Sequence, residues 1–134
     1  TVMPNSICPA GWRLPTGLTN TNQNDSSTTH SEFSSLLKAY SVISTTDPSA
    51  NNATGNVGWA TNGLNIIRTA PLYFTRSGYV NGGTLYYAGV YGYSWSSTIS
   101  AANNGYYLDF NSTGVYPAVS ANRLNGFPVR CVAR

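Results

Sequence analysis

CPAGWRLP at residues 8–15 and GFPVRCVAR at residues 126–134 hold both cysteines of the chain, Cys8 and Cys131, near opposite ends of 134 residues. With no third cysteine to compete, a Cys8–Cys131 disulfide would close nearly the whole sequence into one loop. That would remove roughly 4–5 kcal/mol of unfolded-chain entropy, and it requires the two ends to meet in one compact unit. The alternative is two reduced cysteines packed as small hydrophobes. Because disulfides persist in oxidising compartments, the paired reading predicts an extracellular or cell-surface setting. The length suits a single domain over 1–134.

Outside these ends the chain is polar but barely charged. Asp, Glu, Lys and Arg make up 8% of it, against about 25% in average soluble domains. Asn, Ser, Thr, Gly and ten Tyr supply the polarity. The net charge of +3 comes from Arg13, Lys38, Arg68, Arg76, Arg123, Arg130 and Arg134, which form no run. A nucleic-acid binder of this size would show a basic stripe, so no nucleic-acid partner is expected. No apolar run is long enough to cross a bilayer, and membrane attachment is expected only through an anchor outside this stretch.

Between the ends the pattern predicts an α+β fold. Residues 7–14 read as a short strand or extended arm, and 16–28 as polar loop. Thr29 and Glu32 fit a capping box, followed by Phe33, Leu36, Leu37 and Tyr40 at helical spacing. That helix ends near 42–45. Residues 48–63 could form a second short helix or a loop. From Leu64 onward short strands are expected at 72–75, 78–80, 86–87, 93–96, 106–110, 115–119 and 128–132. In 106–110, Tyr106, Leu108 and Phe110 share one face and Tyr107 and Asp109 the other. Asn111-Ser112-Thr113-Gly114 is a hairpin turn leading to Val115.

CPAGWRLPT at 8–16, SEFSSLL at 31–37, NGLN at 62–65, RSGYV at 76–80, YSWSST at 93–98 and GFPVRC at 126–131 together resemble the Fibrobacter succinogenes major paralogous domain, a bacterial surface module similar to the C-type lectin fold. The resemblance covers nearly the whole chain. It implies paired terminal strands that bring Cys8 to Cys131, and it places Trp12, Leu14, Phe33, Leu36, Gly63, Trp95, Phe127 and Val129 in or beside the core. The chain departs from calcium-dependent lectins, which carry a Glu-Pro-Asn or Gln-Pro-Asp loop and a Trp-Asn-Asp strand. Calcium takes six to eight oxygens, several from carboxylates, and the four acids here are scattered at Asp25, Glu32, Asp47 and Asp109.

Catalytic patterns are likewise missing from the sequence. His30 is the single histidine. It falls in the first turn of the expected helix, where imidazolium is disfavoured. Glu32 is expected to serve its cap, leaving Asp109 without a second acid for glycoside hydrolysis. Two cysteines and one histidine, far apart, do not make a zinc site, and no glycine-rich phosphate loop is present. The formylglycine-generating enzymes of the C-type lectin fold use paired reactive cysteines, whereas this pair sits inside scaffold motifs. No enzyme activity, metal or other cofactor is expected.

What stands out is the density of Tyr and Asn between 86 and 125. Tyrosine offers a large amphipathic area at low entropic cost and asparagine adaptable hydrogen bonds, a combination used by antibody paratopes. Tyr91, Tyr93, Asn103, Asn104, Tyr107, Tyr116, Asn122, Arg123 and Asn125 are the candidate ligand-binding residues. Strand packing of any of these tyrosines is the competing expectation. C-type-lectin-like proteins diversified by retroelement mutagenesis resemble this chain in placing a variable Tyr/Asn/Ser-rich stretch before a fixed Gly-Phe-x-Val strand. Asn24, Asn52 and Asn111 begin Asn-x-Ser/Thr sequons and mark surface loops. The expected function is a secreted or surface-displayed adhesion domain that binds a protein or glycan on another cell or surface. The alternative is a structural module of a pilin-like filament or envelope layer, contacting copies of itself.

Overall fold

A computed structural model of the chain describes residues 7–17, 31–44 and 56–134. Two helices and seven short strands follow in the order β1 (Trp12–Arg13), α1 (Glu32–Ala39), α2 (Gly63–Arg68), β2 (Tyr79–Asn81), β3 (Thr84–Tyr86), β4 (Gly92–Ala101), β5 (Asn104–Phe110), β6 (Val115–Asn122) and β7 (Val132–Ala133). The fold is α+β. Its strands form three antiparallel pieces, β1–β7, β2–β3 and β4–β5–β6, rather than one sheet.

The ends do meet. Trp12 pairs with Ala133 and Arg13 with Val132, and beside this ribbon Cys8 and Cys131 are disulfide-bonded with their Cα atoms 5.8 Å apart.

The long sheet separates two apolar clusters because its strands alternate. Leu108, Phe110 and Val115 enter the main core with Phe33 and Leu37 of α1, Ile67 of α2, and Val42, Ile43, Val57, Leu72 and Phe74. Tyr107, on the opposite face of β5, joins Tyr93 and Phe127 in a second, aromatic cluster. The turn after β5 is the expected one: Asn111 Oδ1 accepts from Thr113 N at 2.8 Å and Gly114 N at 3.1 Å.

Several expectations are corrected. Helix α1 is capped by Ser31, whose side chain accepts from Ser34 N; Thr29 lies outside the described residues. Glu32 does not close a capping box. It takes two hydrogen bonds from Arg13, at 2.5 and 2.6 Å, and one from Thr16 N at 2.6 Å. The Arg13 partnership, more than the Thr16 N–H, holds the Glu32 carboxyl below its ordinary pKa against the opposing effect of burial. A helix lies at Gly63–Arg68, where strand texture was expected to begin; of the stretch 48–63, residues 48–55 lie outside the described residues and 56–62 are loop and turn. Residues 72–75 alternate buried and exposed as a strand would, with Leu72 and Phe74 inside, yet they are in no strand. Trp12 is 46% exposed and Val129 36%, so both lie beside the core rather than in it, Trp12 in a cleft with Phe33 and Phe74 and Val129 bridged to Trp95. Leu14 and Leu36 are half-buried, while Phe33, Gly63 and Phe127 are buried.

Replacing Cys8 and Cys131 by Ala should lower unfolding free energy by about 3–5 kcal/mol, read from denaturant midpoints of oxidised wild type against the variant. An unchanged midpoint would show that the ribbon and cores hold the ends unaided.

Candidate functional site

The candidate surface grows out of the second cluster. Phe127 lies 4.6 Å, centroid to centroid, from each of Tyr93, Trp95 and Tyr107. Tyr79 meets Phe127 edge-on at 5.2 Å. It stacks on Tyr86 at 5.5 Å and on Tyr87 at 6.2 Å. Tyr87 in turn meets Tyr91 at 5.3 Å, and Tyr91 stacks on Tyr93 at 5.9 Å. Aromatic contact therefore runs without a break from the buried Phe127 to Tyr86 and Tyr87, which are 42% and 54% exposed. Tyr86 and Tyr87 were in the dense segment read from the sequence but were not among its site residues. Their hairpin is built on glycine: Gly78 has φ +69° and lies so close to the Tyr86 and Tyr87 backbone that a Cβ would collide with it.

Sequence-expected site residues divide into three groups. Tyr93 and Tyr107 are each 8% exposed and belong to the aromatic cluster. Their rings are occupied by neighbours, so they cannot present a face to a partner. Asn103, Asn104, Asn122, Arg123 and Asn125 come together at one end of the long sheet. Asn104 pairs with Asn122 across the strands, Arg123 N donates to Asn103 O at 2.9 Å, and Asn125 N donates to Asn122 O at 3.1 Å. The Arg123 guanidinium donates to Ala102 O, and Asn122 Oδ1 accepts from Leu124 N at 2.9 Å. Trp95 Nε1 donates to Asn125 O at 3.3 Å, tying this tip to the aromatic cluster. Asn103, Asn122 and Arg123 are exposed and Asn104 and Asn125 half-buried. Of the remaining two, half-buried Tyr91 packs against the cluster just before β4, and half-buried Tyr116 lies on β6 opposite Asp109.

Asp109 sits on the aromatic face, opposite Tyr93 on β4 and Tyr116 on β6. Its Oδ1 is buried with no hydrogen-bond partner. Burial raises its carboxyl to about 6. Burial, with the nearby Asp109 charge as second cause, raises the Tyr93 and Tyr107 hydroxyls too, Tyr107 to about 12.

A separate cleft of about 570 Å³ lies between the terminal ribbon and α1, with Trp12, Arg13, Glu32, Tyr40, Phe74 and Arg130 in its lining. Trp12 and Tyr40 are both exposed, and the Arg130 guanidinium lies 4.6 Å over the Phe74 ring. Sequence reading missed this cleft because its walls come from four separated segments, three of them read as scaffold. The cleft does not include Asp109.

Among the described residues no group of three or more His, Cys, Asp or Glu side chains is placed to hold a metal; His30, Asp25 and Asp47 lie outside those residues, as do Asn24 and Asn52. Comparison with family models, with curated proteins and with solved structures gave no match.

Asp109 makes a distinctive stability prediction. A carboxylate whose folded pKa is raised binds its proton more tightly in the folded state, so stability falls as pH rises from the unfolded value of 3.8 to about 6 and stays low above that. Discounted for partial exposure, Asp109→Asn should raise stability near neutral pH by about 1–2 kcal/mol and change little near pH 4. Equal effects at both pH values, read from urea midpoints, would contradict the buried-carboxylate account.

Proposed function

We propose that this chain is a secreted or cell-surface binding domain of C-type-lectin-like architecture, similar to the Fibrobacter succinogenes major paralogous domain, that recognises a protein or glycan without calcium. The observation that carries this reading is the aromatic path from Phe127 to the exposed rings of Tyr86 and Tyr87. Rings locked by their neighbours lose little entropy on binding. Solvent-facing tyrosines of this kind stack on sugars or anchor protein partners. Trp95, Phe127 and Arg123 link that path to the asparagine tip, where uncharged hydrogen-bonding groups surround one guanidinium.

Beads coated with the domain and assayed for adhesion to glycan- and protein-bearing surfaces test this. Tyr87→Ala and the pair Asn122→Ala with Arg123→Ala should each weaken adhesion roughly tenfold, while Trp12→Ala with Tyr40→Ala in the cleft leaves it unchanged. The reverse ranking would move the binding site to the cleft.

A second reading, a module of a surface filament or envelope layer, is supported by Val80 and Leu85. They are paired across β2 and β3 and are 44% and 58% exposed. Exposed apolar side chains marking assembly faces are the kind of surface such a module would use. It predicts concentration-dependent self-association in sedimentation experiments that Leu85→Lys abolishes; a monomer at all concentrations would count against it.

A further inference from the structure

The cleft between the terminal ribbon and α1 has no part in the tyrosine face, yet it is built like a binding site. Its volume of about 570 Å³ falls within the range of small-molecule sites, roughly 300–1,000 Å³. Phe33 and Phe74 line it from the main core. Trp12 of β1 and Tyr40 at the end of α1 line it too, and they are 46% and 42% exposed. Among the described residues neither of these two rings packs against another aromatic ring. Large rings left in water beside an apolar hollow mark a ligand groove.

Charge in the walls decides what kind of ligand fits. The lining carries two guanidiniums, Arg13 and Arg130, against one carboxylate, Glu32. Glu32 is saturated: both of its oxygens accept from Arg13, and one also takes the Thr16 N–H. Arg130, half-buried, has no carboxylate within ion-pair distance among the described residues, where Arg13 and Glu32 form the salt bridge. Its guanidinium donates to Leu72 O and Pro71 O and lies 4.6 Å over the Phe74 ring. These contacts hold the cation in place without neutralising it, and they leave other N–H donors of its fork unused. A fixed cation on the wall of an aromatic hollow is preorganised for an anion with a flat apolar body.

We propose that this cleft binds a small free aryl carboxylate, whose carboxylate pairs with Arg130 and whose ring packs against Trp12 and Tyr40. This goes beyond the tyrosine face and does not rest on it. The ligand supplies the counter-charge that Glu32 cannot, and its ring covers apolar surface that Trp12 and Tyr40 expose. Binding is non-covalent. Neither half of the ligand suffices alone: a short aliphatic acid gains only a part-exposed ion pair, which is worth little, and a neutral ring gains only the packing.

The test is a titration of the ¹⁵N-labelled chain with 3-phenylpropionate and 2-naphthylacetate, against 3-phenylpropionamide, phenethylamine and acetate. The readouts are the Trp12 indole N–H and Arg130 guanidinium signals. The expected result is saturable shifts of both signals with the aryl carboxylates and none with acetate. The acids should bind roughly tenfold or more tighter than the amide or the amine. Arg130→Gln should abolish the preference for acid over amide, and Trp12→Ala with Tyr40→Ala should weaken both several-fold. Added sodium chloride should weaken the acids and not the amide. No saturation by either acid, an amide that binds as tightly, an acid preference that survives Arg130→Gln, or shifts confined to Tyr86 and Tyr87 overturns the proposal. Should Arg130→Gln fail to fold, the acid-to-amide ratio and its salt dependence in the unaltered chain decide the matter. Tighter binding of a peptide ending in a phenylalanine carboxylate would make the occupant a polypeptide end and overturn the free-acid assignment. Failure of the cleft would leave the Tyr87 and Arg123 adhesion effects standing, and loss of those effects would leave the cleft standing.

Discussion

Phe127 lies 4.6 Å from three rings at once, those of Tyr93, Trp95 and Tyr107, and the segment that carries it touches nearly every other part of the fold. Just before it, Gly126 exchanges both backbone hydrogen bonds with Val80 of β2, at 2.7 and 3.1 Å. A Cβ on Gly126 would come 3.1 Å from Val80 O and 3.2 Å from Val80 Cβ, so any larger residue would push the hairpin away. Just after it, Pro128 O accepts from Trp95 N at 3.0 Å. Arg130 then reaches the Phe74 ring in the main core, and Cys131 bonds to Cys8. Six consecutive residues thus fasten the hairpin, the long sheet, the main core and the N-terminal arm to one another. Neither β2–β3 nor β1–β7 is large enough to persist as an isolated ribbon; both are fastened by this returning segment, which is itself held by isolated bridges.

That dependence explains which parts of the fold were readable. Strict alternation in Tyr106–Phe110 assigned each side chain to its face, and the structure sends Leu108 and Phe110 one way and Tyr107 the other, because a strand packed on both sides has no other way to bury them. The Asn111–Gly114 turn was legible because its geometry is made locally, by the Asn111 side chain. The Cys8–Cys131 bond was legible by cysteine economy. What escaped depends on partners distant in sequence. Residues 72–75 have the side-chain alternation of a strand without a backbone neighbour to pair with. Glu32, three residues after Thr29, satisfied a local capping rule, yet a guanidinium nineteen residues earlier holds it instead. A charged bidentate pair outcompetes a single cap hydrogen bond.

The candidate site shows the same division. Composition located the Tyr- and Asn-rich region but could not rank its tyrosines, since core packing and recognition favour the same residue. Tyr93 and Tyr107 were absorbed by Phe127, while Tyr86 and Tyr87, one or two contacts farther along the same path, kept exposed faces. Asn103 and Arg123 met because the β5 and β6 register brings Asn104 opposite Asn122, a consequence of pairing that no short motif encodes.

Asp109 is where these two demands collide. Every other acid among the described residues has found a cation: Glu32 has Arg13. Asp109 has a rigid position in a central strand, rings on either side and no partner for its buried oxygen. Alternation requires something at position 109 on the aromatic face, and an asparagine or a small apolar residue would fill it at lower cost. The carboxylate therefore adds nothing to folding that a neutral side chain would not supply more cheaply.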